Sequence, residues 1–76
     1  MIRLSVRIRR GAAKHAELDL FVNGQMVSGP CGITIRAAEI TGFLAKLDPD
    51  TIEVDRENIT DDMFHRLAGF KNTRFV

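Results

Sequence analysis

Two histidines and one cysteine are the residues of this 76-residue chain best suited to acid, base or nucleophilic chemistry. Asp61 and His65 stand four residues apart in a predicted helix, a spacing that places a carboxylate beside an imidazole. The same spacing is common in surface ion pairs, and neither a third ligand nor a nucleophile lies nearby in the sequence. The sequence shows no general base and no oxyanion-binding motif to accompany Cys31 as a nucleophile. We therefore expect no catalytic residue, no metal site and no cofactor, and a protein that is not an enzyme.

Charge is nearly balanced overall but is segregated along the chain. The formal net charge is +1, from 11 Lys and Arg against 10 Asp and Glu. Residues 1–16 carry five cations and no acid, whereas residues 48–62 carry seven acids and one arginine. Such segregation influences the choice of partner more than it influences the fold. The basic segment suits phosphate groups, and the acidic segment suits a basic protein surface.

Length and composition indicate a small globular protein. With 76 residues, 45% of them hydrophobic, residues 1–76 should form one compact domain with a modest core. No segment is apolar enough to cross a bilayer, and the alternating basic residues after Met1 do not form a secretory signal. We expect a cytoplasmic protein with no membrane partner.

Alternation of apolar and polar residues predicts a β-sheet. Residues 2–9 and 17–23 alternate with the period of two that is typical of half-buried strands. A turn dipeptide follows the second of these segments, so residues 25–28 should return as the next strand. Shorter β-branched or alternating segments occur at residues 33–35 and 51–55. The first segments predict an antiparallel meander.

Two amphipathic helices complete the predicted fold. Apolar residues recur at helical spacing over residues 36–47, and Gly42 within them indicates a close contact. The second helix begins after Thr60, a good N-cap. We predict an α+β domain with a mostly antiparallel sheet of three to four strands and both helices packed on one face. Residues 70–76 should form either a docked strand or a mobile tail.

The register of the first hairpin separates two kinds of basic residue. When the apolar residues of the two strands face each other, Arg7 lies opposite Asp19 and Arg9 lies opposite Glu17. Cross-strand pairs of opposite charge stabilise a sheet, so the fold explains these two arginines. The candidate ligand-binding residues are the other basic residues of this half of the chain: Arg3, Arg10, Lys14, His15 and Arg36. Three of them share the loop that closes the hairpin, where charge is free to bind an anionic partner.

Apolar residues outside the expected core predict self-association. Beyond the hairpin turn the register places Phe21 opposite Met26, on the face away from the core. Either a second layer covers this pair or it forms an exposed patch of the kind found at interfaces. Phe70 and Phe75 in the tail are further candidates. We predict that these four residues form the interface of a homo-oligomer.

In its format the chain resembles the very short phage or mobile-element accessory proteins that inhibit host defences. The resemblance rests on a length under about 80 residues, a meander over residues 18–28 that turns on Asn23-Gly24, and an amphipathic helix over residues 36–47. It implies action by binding, either to protein machinery or by sequestering nucleotide signals. No diagnostic motif matches, so the resemblance assigns no functional residue.

The leading hypothesis is a non-enzymatic binding or sequestering module that engages an anionic small molecule, such as a nucleotide signal, through the basic loop. One alternative is a nucleic-acid-binding accessory protein, although the chain has no Tyr or Trp on which bases could stack. The other is an inhibitor that docks its acidic residues 48–62 on a host protein.

Overall fold

A single mixed sheet with β1 at its centre organises the chain. The computed structural model describes residues 1–76. The strands are β1 (Leu4–Gly11), β2 (His15–Val22), β3 (Gln25–Met26), β4 (Ile33–Arg36), β5 (Thr51–Val54) and β6 (Thr73–Phe75). The helices are α1 (Ile40–Leu47) and α2 (Asp61–Ala68), with single 3-10 turns at Ala37–Glu39 and Arg56–Asn58.

Strand directions differ on the two sides of β1. On one side β2 pairs with β1 in antiparallel fashion, and the outer edge of β2 is shared by β3 and β4. On the other side β5 pairs with β1 in parallel, and β6 pairs with β5 in parallel. The chain reaches β5 through α1 and reaches β6 through α2, as parallel neighbours require a crossover connection.

The α+β class is therefore confirmed, whereas the mostly antiparallel sheet of three to four strands is wrong in part. The sheet has six strands, and two of its pairings are parallel. Apolar alternation gives the period of a strand but not its direction, so the pattern over residues 51–55 did not reveal a parallel partner. Of the two states predicted for residues 70–76, the structure shows the docked strand, β6.

The hydrophobic core lies between one face of the sheet and the two helices. Inward-facing strand residues pack in one buried cluster with both helices, which therefore cover the same face. The cluster includes Val6, Ile8, Leu18, Ile52 and Val54 from the sheet, Ile40 and Leu44 from α1, and Met63 and Leu67 from α2. No helix in the structure is long and apolar enough to span a bilayer. The opposite side of the sheet, which we call the open face, carries no helix.

The predicted register of β1 and β2 holds up to Ile8, which pairs with Leu18. A β-bulge then shifts the register, so Arg10 rather than Arg9 lies opposite Glu17. After the bulge Gly11 is buried, and a Cβ atom there would lie 2.5 Å from Met63 Cγ. Glycine therefore lets α2 pack closely beneath the end of β1.

The predicted start of α2 is confirmed, whereas the helix predicted over residues 36–47 begins only at Ile40, because Arg36 ends β4 and a 3-10 turn follows it. The hydroxyl of Thr60 accepts a hydrogen bond of 3.2 Å from the amide of Met63, as expected of an N-cap. The first helix ends at Asp48, which adopts a left-handed conformation with φ of 47°. The close contact predicted at Gly42 is wrong, because this glycine is exposed and no atom beyond its chain neighbours and the backbone of its own helix lies within 4 Å of the Cβ it lacks.

Gly42→Ala is expected to stabilise the protein. Alanine gains about 1 kcal/mol over glycine in a helix interior, and nothing in α1 obstructs the added methyl group. Urea denaturation followed by circular dichroism should show a higher midpoint with an unchanged slope. A lower midpoint would mean that a neighbour packs against this position after all.

Candidate anion-binding site

Four of the five predicted ligand-binding residues lie near one another at one corner of the sheet, on neighbouring strands and the loop between two of them. His15 on β2 is the register partner of Arg36 on β4. Arg10 is paired with Glu17, two positions along β2 from His15, and Lys14 directly precedes His15. Arg10, Lys14, His15 and Arg36 are all exposed, and we call this group the cationic corner.

The loop at the cationic corner is short, and backbone hydrogen bonds hold both of its ends. Residues 12–14 connect β1 to β2, and the amide of Ala12 donates to the carbonyl of His15 at 2.9 Å. The carbonyl of Lys14 accepts a hydrogen bond of 2.8 Å from the amide of Ala37, just beyond β4. These bonds fix the backbone from which the cationic side chains project, so less conformational freedom is lost when a ligand binds.

Helix α2 supports the corner from the covered side of the sheet. The carbonyl of Gly11 accepts a hydrogen bond of 2.9 Å from the amide of Thr60, the residue that caps α2. Ile59 forms an isolated bridge with Gly11 and is buried. The end of β1 is therefore held between the loop above it and the helix start below it.

The cations of the corner are free, whereas those in the middle of the sheet are paired. Arg10, Lys14 and Arg36 have no carboxylate within 4.0 Å of their nitrogen atoms. Arg7, by contrast, lies 3.4 Å from Glu53 and 3.0 Å from Asp55. Free positive charge therefore lies at the corner, and it lies also at Arg3 and Arg74 beside the other end of β1.

Arg7 lies opposite Asp19 as predicted, but both arginines form their ion pairs with acids other than the predicted ones. Arg7 pairs with acids from β5 and its end, because β5 places Glu53 beside it in parallel register. Arg9 turns at the bulge toward the buried Asp19, with Nε 3.0 Å from Oδ2. This contact is electrostatic, since the Nε–H group is not aligned to donate a hydrogen bond. Glu17 is left without an ion pair.

Arg3 lies apart from the other predicted ligand-binding residues. It precedes β1 at the end opposite the corner, where its amide donates to Asn23 Oδ1 at 2.8 Å. Arg10 follows Arg3 by seven positions, so the two are roughly 20 Å apart along the strand. The five residues therefore do not form one compact pocket.

The four predicted interface residues occupy two different environments. Phe21 and Met26 are register partners, as predicted, and no second layer covers them. Phe21 is half-buried and Met26 is 45% exposed. Phe70 and Phe75 instead pack against the protein's own core, where the ring of Phe75 lies 4.7 Å from that of Phe64.

The acidic segment is largely engaged within the chain. Five of its seven acids make hydrogen bonds or ion pairs: Asp50 with the amide of Leu4, Glu53 and Asp55 with Arg7, Asp61 with Arg56, and Asp62 with Arg66. No group of three or more histidine, cysteine, aspartate or glutamate side chains is placed to hold a metal ion.

Sequence reasoning missed a groove on the open face beside Arg3. Its floor is Ser5 and Thr51, and three adjoining depressions of about 230, 360 and 500 Å³ share Thr51 in their lining. Phe21 lines one side, and Arg74 lines the other. Ser5 could have indicated the groove, because it is a small residue among the arginines on the open face of β1. The partner strand that completes the groove comes from 46 residues further along the chain.

The fold and the site define a small α+β domain with an open sheet face and a cationic corner. Comparison of the chain with protein-family models, with curated proteins and with solved structures found no match.

Proposed function

We propose that this protein is a non-enzymatic binding module that sequesters a phosphate-bearing ligand, such as a nucleotide signal, at the cationic corner. The observation that carries the proposal is the cluster of exposed cations, free of ion pairs, around a loop held by backbone hydrogen bonds. Of the three residues predicted to share that loop only Lys14 does, because Arg10 lies on β1 and His15 lies on β2. Phage-type inhibition of a host defence by this route is the biological role we propose.

The side chains of the corner have complementary ways of binding phosphate. The guanidinium groups of Arg10 and Arg36 present planar forks of N–H donors that match two phosphate oxygens at once. Lys14 adds a compact positive charge on a flexible stem, and the ring of His15 adds a further donor. Together they suit a ligand with two or more phosphate groups.

Docking of the acidic segment on a basic protein is the weaker alternative. Most of its carboxylates already bind partners within the chain, and Asp50 caps the start of β1 through the amide of Leu4. A partner would have to displace those contacts, whereas a ligand at the corner displaces none.

Glu17→Gln is expected to raise the affinity for an anion. This carboxylate is half-buried opposite Arg10 and has no ion pair, so its negative charge opposes phosphate at the corner. Removing one nearby charge should tighten binding of inorganic tripolyphosphate about twofold to fivefold, in line with exposed charge pairs elsewhere. Isothermal titration at fixed ionic strength measures this, and weaker binding by the variant would place the anion away from β2.

The proposal is tested by the ultraviolet spectrum of the purified protein. The chain has no Trp and no Tyr, so it absorbs very little at 280 nm. A bound nucleotide should give a band near 260 nm that passes through a filter only after the protein is denatured. If the folded protein also fails to bind added inorganic tripolyphosphate, the proposal is wrong.

A further inference from the structure

From the row of arginines along β1 we infer that the ligand is a short single-stranded oligonucleotide, which runs from the cationic corner across the open face to Phe21. The inference rests on the proposed function and names the ligand class for the same site. It also uses the groove at the far end of β1, which the cationic corner alone does not explain.

The open face is positively charged along one strand. Apart from Ser5, each side chain that β1 directs to this face is an arginine: Arg7, Arg9 and Arg10. Arg3 continues the row just before the strand, and alternate positions are about 6.6 Å apart. For Arg7 and Arg9 this spacing is comparable with that of successive phosphates in an extended single strand, whereas Ser5 leaves about 13 Å between Arg3 and Arg7.

The two ends of this row are free, and its middle is neutralised. Arg3 and Arg10 have no ion pair, whereas Arg7 binds Glu53 and Asp55 and Arg9 binds Asp19. Arg7 still exposes 46% of its side chain. The ends can therefore attract phosphates, and the middle offers hydrogen-bonding groups over which neutral bases can lie.

An aromatic ring stands beside the far end of the row. Phe21 is half-buried, lies on the open face and lines the groove above Ser5 and Thr51. It is not among the residues that pack against the hydrophobic core. A ring held in this way, near the unpaired charge of Arg3, suits base stacking in single-stranded nucleic acid.

The geometry favours a strand of several nucleotides over a mononucleotide and over a duplex. The track from Arg3 to Arg10 extends roughly 20 Å, which one nucleotide cannot span. A duplex keeps its bases stacked on each other, so no base would be available to Phe21.

The test compares labelled deoxythymidine oligomers of two, four and eight nucleotides by fluorescence anisotropy at several salt concentrations. The eight-nucleotide strand should bind at least tenfold more tightly than the dinucleotide. Its log affinity should fall with log salt at about 0.7 per phosphate contacted, and Arg10→Ala with Lys14→Ala should reduce that slope by about 1.4.

Phe21→Ala is the variant that isolates the far end of the track. It should weaken binding of the eight-nucleotide strand about tenfold or more, and leave binding of inorganic tripolyphosphate unchanged. Met26→Ala is the matched control, because it removes a neighbouring apolar side chain without removing a ring. Circular dichroism should show both variants folded.

Three results would overturn the inference while leaving the proposed function in place, provided that tripolyphosphate still binds. They are equal affinity for the two- and eight-nucleotide strands, unchanged affinity of Phe21→Ala for the longer strand, and equal affinity for a duplex of the same length. If the unaltered protein does not bind tripolyphosphate, the proposed function itself is overturned.

Discussion

Replacing Arg10 and Lys14 together with alanine is expected to weaken binding of inorganic tripolyphosphate about 30-fold. Each exposed, charge-assisted contact with phosphate is worth about 1 kcal/mol after solvent screening, and two such contacts are lost together. Neither side chain forms an ion pair within the protein, so the thermal midpoint should stay within about 2 °C of the original. Isothermal titration and a thermal scan measure the two quantities.

The matched control is the double variant Lys46→Ala with Lys71→Ala. These two lysines are also exposed and free of ion pairs, and their removal changes the net charge by the same amount. Lys46 lies on α1, on the covered side of the sheet. If both double variants lose affinity equally, binding responds to overall charge and the cationic corner is not a site.

Gly32→Ala is expected to cause the largest loss of stability among exposed or half-buried positions, about 2 to 4 kcal/mol. Gly32 has a φ of 68°, in the left-handed region that disfavours a side chain. An added Cβ would also lie 2.8 Å from both Asp19 Oδ1 and the carbonyl oxygen of Leu18. The turn before β4 would have to move, and the contact between Arg9 and Asp19 would move with it.

Gly24→Ala separates the two causes of that loss. Gly24 has a φ of 82°, but no atom lies within 4 Å of the position its Cβ would take. Its substitution should therefore lower the free energy of unfolding only through backbone strain, by about 1 to 2 kcal/mol. Urea denaturation of both variants measures the difference, and equal losses would mean that Gly32 is not closely packed.

The sequence predicted local structure well because local structure depends on neighbouring residues. The pairing of Ile8 with Leu18 and of Phe21 with Met26 follows from alternation and a two-residue turn. The cap at Thr60 likewise depends on residues within one helical turn. These predictions needed no knowledge of the rest of the chain.

Features that depend on distant segments could not be predicted in the same way. The parallel pairing of β5 with β1 depends on where α1 crosses the sheet, and no local pattern encodes that. The bulge after Ile8 is a second example, because it is coupled to the packing of Met63 against Gly11. Together these two features gave Arg7 and Arg9 partners that differ from the predicted ones.

The candidate site was predicted in its composition but not in its extent. Arg10, Lys14 and His15 are close in sequence, so their proximity was expected, and β4 brings Arg36 beside them. Arg3 is separated from them by the length of β1. A set of candidate residues chosen by charge gives no distances between its members. The groove beside Arg3 was missed because Thr51 completes it from a distant strand.

Titration of the isotopically labelled protein with inorganic tripolyphosphate, followed by amide nuclear magnetic resonance, tests the central claim most directly. If the cationic corner binds phosphate, the amide signals of residues 10–15 and of Arg36 and Ala37 should shift progressively and saturate. Those of residues 48–53, at the end of the acidic segment beside the start of β1, should shift less. Shifts spread evenly over the protein, or the absence of saturable shifts at the corner, would contradict the account.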